Sequence, residues 1–336
     1  MSDIMQLESL PNEIFLDIFD YLSLVNLHQS FKGLNQRINH ILQSLNHRSI
    51  QLWSTNEKNE IDMHIFFAAS IASIDINDEC DVNLNQYPKM HSLTYTYATE
   101  SQVQHFLLSK FCHNDLKYLN VTSDDLSLLF KYMFSNKFSS LNQCILRNID
   151  SLTTCPWRIT PSLHSVTVCS DENIIPSILY SCPNLKNLSL FIFHYSSTTL
   201  TSFIYHSHLK RLTIEMTEPA WTVQAIHMLF SSTEIPHLIS FRIFSYEPSL
   251  IPFNFVQLMD IFNRRLPNLR RFKCDIRLSK GVETMNLKII RDLHSFLFIY
   301  LKFEYQSDGI LRIYTDNFED SIKLKENPQY SIIHYL

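Results

Sequence analysis

A short pattern of apolar positions recurs along most of the chain. Each copy reads apolar-x-x-apolar-x-apolar, as in Leu185-Lys186-Asn187-Leu188-Ser189-Leu190. The alternation at its end is typical of a strand with one buried side, because successive side chains of a strand point to opposite faces. Eight copies start at Met90, Leu116, Leu141, Leu163, Leu185, Leu209, Leu238 and Leu269. Their spacing of 22 to 31 residues predicts an internal structural repeat.

The segments between these copies have apolar residues at helical spacing, which predicts that each repeat is a strand followed by a helix. The clearest examples are Val103, Phe106, Leu107 and Phe111; Leu126, Leu129, Phe130 and Met133; and Phe255, Leu258, Met259 and Phe262. One such unit cannot cover its own apolar face, so we expect the units to stack with parallel strands inside and helices outside. Weaker copies of the strand pattern begin at Ile71 and Phe298.

This repeat resembles the leucine-rich-repeat family, in its irregular members. The resemblance implies an α/β fold in which residues 54–336 form a leucine-rich-repeat-like solenoid of about 9–11 repeats, with a C-terminal cap near residues 300–336.

The N-terminal segment has the pattern of an amphipathic helix with two apolar stripes. Pro11 lies near its first turn, and Glu13 complements the positive end of the helix dipole. One stripe consists of Ile14, Ile18 and Leu22, and the adjacent stripe contains Phe15 and Phe19. One stripe can pack on the helices that follow, around Leu24, Leu27, Phe31, Leu34, Ile38 and Ile41. The other stripe is then available to a second polypeptide.

The order Leu10-Pro11, Glu13-Ile14, Ile18, Tyr21-Leu22, Leu27, followed by Leu52-Trp53, resembles the F-box family over Leu7 to Trp53. The resemblance implies a three-helix module, which we assign to residues 5–53, that docks on a Skp-type adaptor and through it on a cullin. It implies adaptor contacts at Leu10, Pro11, Glu13, Ile14, Ile18, Leu22 and Leu27. The alternative is a plain N-terminal cap that shields the first repeat, since open repeat arrays need capped ends.

Composition narrows the classes of function. The 336 residues are 45% hydrophobic, enough for a large core, and the net charge of -5 gives no global attraction to nucleic acid or to an acidic membrane. We expect no secretory signal and no membrane span, and therefore a cytoplasmic or nuclear protein. Seven scattered cysteines, an odd number, favour buried thiols in a reducing compartment. Three glycines are too few and too far apart for a phosphate-binding loop.

No catalytic motif, metal-ligand spacing or cofactor fingerprint is found in the sequence, so we expect no catalytic residues, no metal and no cofactor. His206 and His208 are closely spaced, and we interpret them as ordinary surface or partly buried imidazoles. Asp124 and Asp125 precede a predicted helix and are interpreted as capping acids.

Basic residues recur on the predicted solvent side of three neighbouring strands. They are Arg211, Arg242, Arg271 and Lys273, with Arg264, Arg265, Arg270 and Arg277 nearby and Glu215 and Asp275 as the opposing acids. One hypothesis is that this stripe binds an acidic or phosphorylated segment of a target protein, because guanidinium groups pair bidentately with such anions. The other interpretation is a solvated surface, with Arg264 and Arg265 complementing a helix C-terminus.

The sequence therefore predicts a non-catalytic substrate receptor of a ubiquitin ligase. The F-box-like module would hold the adaptor, and the repeats would hold an unknown target protein. One rival is a leucine-rich-repeat interaction scaffold without a ligase link. The other is a hydrolase or transferase with a site between Trp157 and Trp221.

Overall fold

The computed structural model describes residues 10–45, 48–52, 58–77, 80, 82–109, 115–123, 125–134, 137–147, 158–169, 174–192, 204–216, 223–249, 253–279, 301–306 and 310–315. The chain divides into two compact units, 1–163 and 164–336. In each unit the strands form a mostly parallel sheet, and helices alternate with the strands along the chain. The predicted α/β class is confirmed.

The first unit opens with three short helices: α1 (Asn12–Asp20), α2 (Leu24–Phe31) and α3 (Gln36–Ser44). Polar side chains start two of them. Ser23 accepts a hydrogen bond from the Asn26 backbone N–H at 3.2 Å, and Asn35 accepts one from Ile38 N–H at 2.8 Å. The three helices enclose an apolar core of Phe15, Phe19, Leu24, Leu27, Ile38, Ile41, Leu42 and Leu45.

Two elements follow that the sequence patterns did not predict. Strand β1 (Arg48–Leu52) begins within the segment assigned to the helical module, and Trp53 lies outside the described residues. Helix α4 (Lys58–Phe67) packs on α2 and α3. Its Phe66 and Phe67 rings lie 5.8 and 6.3 Å from the His28 ring, so a fourth helix belongs to the N-terminal helical cluster.

The remaining elements of the first unit are β2 (Ile71–Asn77), β3 (Ser92–Thr96), α5 (Glu100–Leu108), β4 (Tyr118–Thr122), α6 (Ser127–Met133) and β5 (Gln143–Arg147). Strands β1 to β5 lie side by side in chain order and all pair in parallel. Equivalent apolar positions of neighbouring repeats are in register, as shown by Leu93, Leu119 and Cys144. The predicted strand at Ile71 and the helices at Val103 and Leu126 are confirmed, and Phe111 lies outside the described residues.

The elements of the second unit are β6 (Ser165–Cys169), α7 (Ile174–Ser181), β7 (Asn187–Ile192), β8 (Ile204–Tyr205), β9 (Arg211–Met216), α8 (Val223–Ser232), β10 (Thr233–Glu234), β11 (Ser240–Ser245), α9 (Phe255–Arg265), β12 (Arg271–Leu278), β13 (Leu301–Tyr305) and β14 (Leu311–Thr315). Strands β6, β7, β9, β11 and β12 are neighbours in that order and parallel. Their buried residues again match across the sheet: Leu188, Leu212, Phe241 and Phe272 occupy one row. Strands β8 and β10 form a separate small pair.

The parallel run of the second unit ends in an antiparallel pair of strands. β14 pairs antiparallel with β12, and β13 pairs antiparallel with β14. In its described part, the weak copy of the strand pattern that starts at Phe298 therefore adds no further parallel repeat. The described part of that copy, from Leu301 onward, is the edge strand of a hairpin, because its direction is set by pairing with β14 and not by its own apolar spacing.

Five cysteines lie among the described residues, and all five are buried: Cys80, Cys144, Cys169, Cys182 and Cys274. No helix in the described ranges is both long and apolar enough to cross a bilayer.

Candidate protein-interaction surfaces

One side of helix α1 exposes apolar residues. The exposed fractions are 41% for Ile14, 37% for Ile18 and 91% for Tyr21. These positions lie three, four and seven residues apart, so they share one side of the helix and its C-terminal turn. We call Ile14, Ile18 and Tyr21 the α1 surface.

The opposite side of α1 is anchored to the rest of the first unit. Phe15 and Phe19 are fully buried, with ring centroids 5.6 Å apart. Arg37 of α3 holds the N-terminal end: its Nε donates to Asn12 Oδ1 at 2.9 Å, and its Nη2 donates to the Leu10 carbonyl. Arg48 holds the C-terminal end by donating to the Phe19 carbonyl and to Asp20 Oδ1, at 3.1 and 2.9 Å. The two arginines fix which side of α1 faces outward.

The other predicted adaptor-contact residues occupy different positions. Pro11 and Glu13 are exposed at the start of α1, and Leu10 is half-buried beside them. Leu22 is also half-buried, and it lies beyond the end of α1. The last member of the predicted stripe of Ile14, Ile18 and Leu22 is therefore in the turn that follows the helix. The predicted adaptor contact at Leu27 must be corrected, because this residue is 0% exposed in the core of the helical cluster and offers no surface to a partner.

Tyr21 is a member of the α1 surface that the sequence prediction left out of the contact set. A signal for it was present, since it lies three residues after Ile18 and seven after Ile14.

The second candidate surface is the polar side of the sheet in the second unit. Strand register places Asn187, Arg211, Ser240 and Arg271 in one row, and Ser189, Thr213, Arg242 and Lys273 in the next. Arg211 and Arg271 are exposed, whereas Arg242 and Lys273 are half-buried. The structure thus brings together the four basic residues predicted for target binding: Arg211, Arg242, Arg271 and Lys273. We call these four residues the cationic face.

The acids closest to the cationic face have partners of their own. Asp275 is buried and receives two hydrogen bonds from Arg312 of β14, at 2.9 and 2.8 Å. This ion pair and hydrogen bonding raise the pKa of Arg312. Glu215 accepts a hydrogen bond from the Tyr246 hydroxyl at 2.6 Å. Arg312 was missed in the sequence because antiparallel pairing of β14 with β12 brings it to Asp275 from 37 residues away.

The two arginines at the end of α9 lie on a helix and not on the strands that carry the cationic face. Arg264 and Arg265 lie in the last turn of the helix, and Arg264 forms an ion pair with Asp260 at 2.9 Å. The interpretation of Arg264 and Arg265 as residues that complement a helix C-terminus agrees with their position.

The described side chains that could have taken part in catalysis or metal binding make contacts that stabilise the fold. His206 is buried, and both ring nitrogens are bonded: Nε2 contacts the Cys182 carbonyl at 2.9 Å, and Nδ1 accepts from Leu209 N–H at 3.1 Å. Burial raises the pKa of Cys182 to about 12, so its thiol is protonated at neutral pH. Asp125 Oδ1 accepts a hydrogen bond from Ser127 N–H at 2.8 Å just before α6, whose N-cap residue is Leu126, and Asp124 lies outside the described residues.

Trp157 and Trp221, which delimit the rival enzyme site, are outside the described residues. Within the parts of the chain that the structure describes, no group of three or more His, Cys, Asp or Glu side chains is placed to hold a metal ion.

No family model matches the chain, and no curated protein matches it.

Proposed function

We propose that the protein is the substrate receptor of an SCF-type ubiquitin ligase. In this proposal residues 5–53 are an F-box-like module, and residues 54–336 form a leucine-rich-repeat-like solenoid. The α1 surface docks on a Skp-type adaptor, which links it to a cullin, and the repeats bind a target protein.

The observation that carries the proposal is the exposure of Ile14 and Ile18 on a helix whose opposite side is tightly anchored. Two branched aliphatic residues and an exposed tyrosine on one rigid helix suit a protein interface, because little conformational entropy is lost when a fixed surface binds. A helix that only capped the first repeat would need one apolar side, turned inward, and Phe15 and Phe19 already form that side. A plain cap would therefore leave the exposed Ile14 and Ile18 without a role.

The proposed mechanism is positioning. A receptor that holds the adaptor at one site and the target at another raises the effective concentration of target lysines near the ubiquitin-loaded enzyme. The chemistry belongs to other subunits of the complex. The cationic face would serve as part of the target-binding surface, together with the neutral polar residues in the same rows.

Affinity purification of the intact chain, expressed together with a Skp-type adaptor and a cullin, tests the proposal. The test variant is Ile14→Asp/Ile18→Asp, which charges the α1 surface and leaves Phe15 and Phe19 in place. We expect adaptor recovery to fall about tenfold or more, because a charge buried in an apolar interface without a partner is strongly unfavourable.

The matched control is Leu108→Asp/Val256→Asp, which charges two exposed aliphatic residues at 78% and 48% exposure on α5 and α9. This control should retain the adaptor. Absence of the adaptor from the parent protein, or equal recovery with both variants, would reject the ligase link and favour a scaffold without it.

A further inference from the structure

The loops that lead into three strands of the second sheet carry basic residues at matching positions. Lys186 directly precedes β7, Lys210 and Arg211 lie at the start of β9, and the same is true of Arg270 and Arg271 at β12. All five side chains are exposed. We call these five residues the basic rim, because they lie at the ends where the parallel strands begin.

Backbone hydrogen bonds hold the loops of the basic rim in register. The Lys186 carbonyl accepts hydrogen bonds from the N–H groups of Lys210 and Arg211, at 2.9 and 3.0 Å. The Ile239 N–H then donates to the Lys210 carbonyl at 2.9 Å, and the Arg270 N–H donates to the Ile239 carbonyl at 2.9 Å. One row of backbone hydrogen bonds therefore runs from β7 across β9 and β11 to β12.

Side chains connect the same loops just before this row. Asn268 Nδ2 donates to the Pro236 carbonyl at 2.7 Å, and His208 Nδ1 lies 3.0 Å from the Pro183 carbonyl oxygen. A surface whose backbone is fixed in this way loses little conformational entropy when a partner binds. The basic rim is thus prepared for an interface.

The charge of the basic rim is unbalanced. In residues 183–187, 206–211, 234–240 and 266–271, the five basic residues are accompanied by a single acid, Glu234. The whole chain has a net charge of -5, so this excess of positive charge is local. A local field of this kind favours a negatively charged partner.

An apolar residue lies in the middle of the row. Ile239 is half-buried, and its backbone hydrogen bonds place it between Lys210 and Arg270. Strands are about 4.8 Å apart, so Lys210 and Arg270, on the strands either side of β11, have Cα atoms roughly 10 Å apart. An extended peptide spans that distance in about three residues. It can therefore place an acid near each of these two cations and an apolar side chain over Ile239.

We propose that the basic rim binds an acidic segment of a partner protein, with an apolar residue of that segment packed on Ile239 between acids that pair with Lys210 and Arg270. The inference deepens the proposed function, on which its meaning for a ligase rests, by naming the chemistry of the target. A nucleic acid fits this row less well. Its backbone would bring further phosphate charge to the centre of the row, where Ile239 offers no cation.

Binding of synthetic peptides to the intact purified protein, without any adaptor, tests the inference. The first probe is a short run of Glu and Asp with leucine at its centre, and the second has serine in place of that leucine. The third probe replaces the acids by Gln and Asn, and a single-stranded RNA oligonucleotide of the same charge as the first peptide is the fourth.

The test variant is Lys210→Gln/Arg270→Gln, which removes the two charges on either side of Ile239 and leaves the backbone row in place. The matched control is Lys131→Gln/Lys137→Gln, which removes two exposed lysine charges from the first unit. Thermal unfolding establishes that both variants fold.

We expect the acidic leucine peptide to bind the parent protein and the control equally well. Its affinity should fall about fivefold or more in Lys210→Gln/Arg270→Gln, since each exposed ion pair is worth roughly a twofold to fivefold factor. The serine peptide should bind the parent protein about threefold more weakly than the leucine peptide, because it loses the apolar contact. The peptide without acids should not bind.

An acidic leucine peptide that fails to bind, equal loss in both variants, equal affinity for the leucine and serine peptides, or tighter binding of the RNA would overturn the inference. Because no adaptor is present, none of these results depends on the α1 surface, and a failure here is distinct from a failure of adaptor docking.

Discussion

A single buried imidazole fixes the turn that leads into β9. His206 is 2% exposed and connects the Cys182 carbonyl, just after α7, to the Leu209 backbone N–H before the strand. The Nδ1 atom accepts a hydrogen bond, so the ring must be neutral in this arrangement. Burial is the main cause that lowers the pKa of His206 below its usual value.

The stability of the second unit should therefore decrease in mild acid. The unfolded chain takes up a proton at an imidazole pKa of about 6.5, whereas folded His206 resists protonation, so the unfolded state binds more protons below that pH. The contribution is fully present above about pH 6.5 and is lost as pH falls toward the lowered folded pKa. Thermal unfolding midpoints measured from pH 7.5 down to pH 5.5 should fall for the parent protein.

The variant His206→Gln should unfold at a lower temperature at pH 7.5 and show a weaker dependence on pH. The control His237→Gln, which removes an exposed imidazole elsewhere in the second unit, should follow the parent. The same pH dependence in the His206→Gln variant as in the parent would contradict this role for His206.

At the scale of elements, the sequence predicts the repeating strands well. All eight patterns that start between Met90 and Leu269 are strands in the structure. They could be predicted because apolar and polar residues alternate along a strand that is buried on one side. The cationic face was also predictable, since in-register parallel strands place equal repeat positions side by side. The α1 surface was only partly predicted: the exposed stripe is there, but Leu27 lies in the core, and Tyr21 was quoted in the F-box-like order without being assigned as a contact.

Other elements depend on contacts that local patterns do not encode. Helix α4 has no clear apolar stripe, and it is defined by packing on α2 and α3. Strand β14 alternates Leu311 and Ile313 with polar residues, but no local signal shows that it inserts between β12 and β13 or that it runs antiparallel. Long-range pairing of this kind is decided by the whole sheet.

The two sides of α1 should differ sharply in their effect on stability. Phe15→Ala removes a fully buried ring that touches Phe19 and lies 5.6 Å from the Arg37 guanidinium, and it should cost about 3–5 kcal/mol of unfolding free energy. Ile14→Ala removes a side chain that is 41% exposed and should cost about 1 kcal/mol or less.

Chemical denaturation of the intact chain, followed by circular dichroism, measures both costs. Similar losses for the two variants would mean that Ile14 is also packed inside the protein, and the α1 surface would then not be open to a partner.

At the scale of the whole molecule, the two candidate surfaces lie in different units and have different chemistry. The α1 surface in the first unit is apolar, and the cationic face in the second unit concentrates positive charge in a chain whose net charge is -5. This division suits the proposed receptor, which would hold its adaptor through apolar contacts and its target through charge.

Amide hydrogen exchange of the intact chain, with and without a purified Skp-type adaptor, tests the central claim most directly. We predict that the adaptor slows exchange in Asn12–Asp20 and leaves Arg271–Leu278 unchanged, because the docking helix becomes protected when a partner covers it. Unchanged exchange throughout α1 at saturating adaptor would contradict the account.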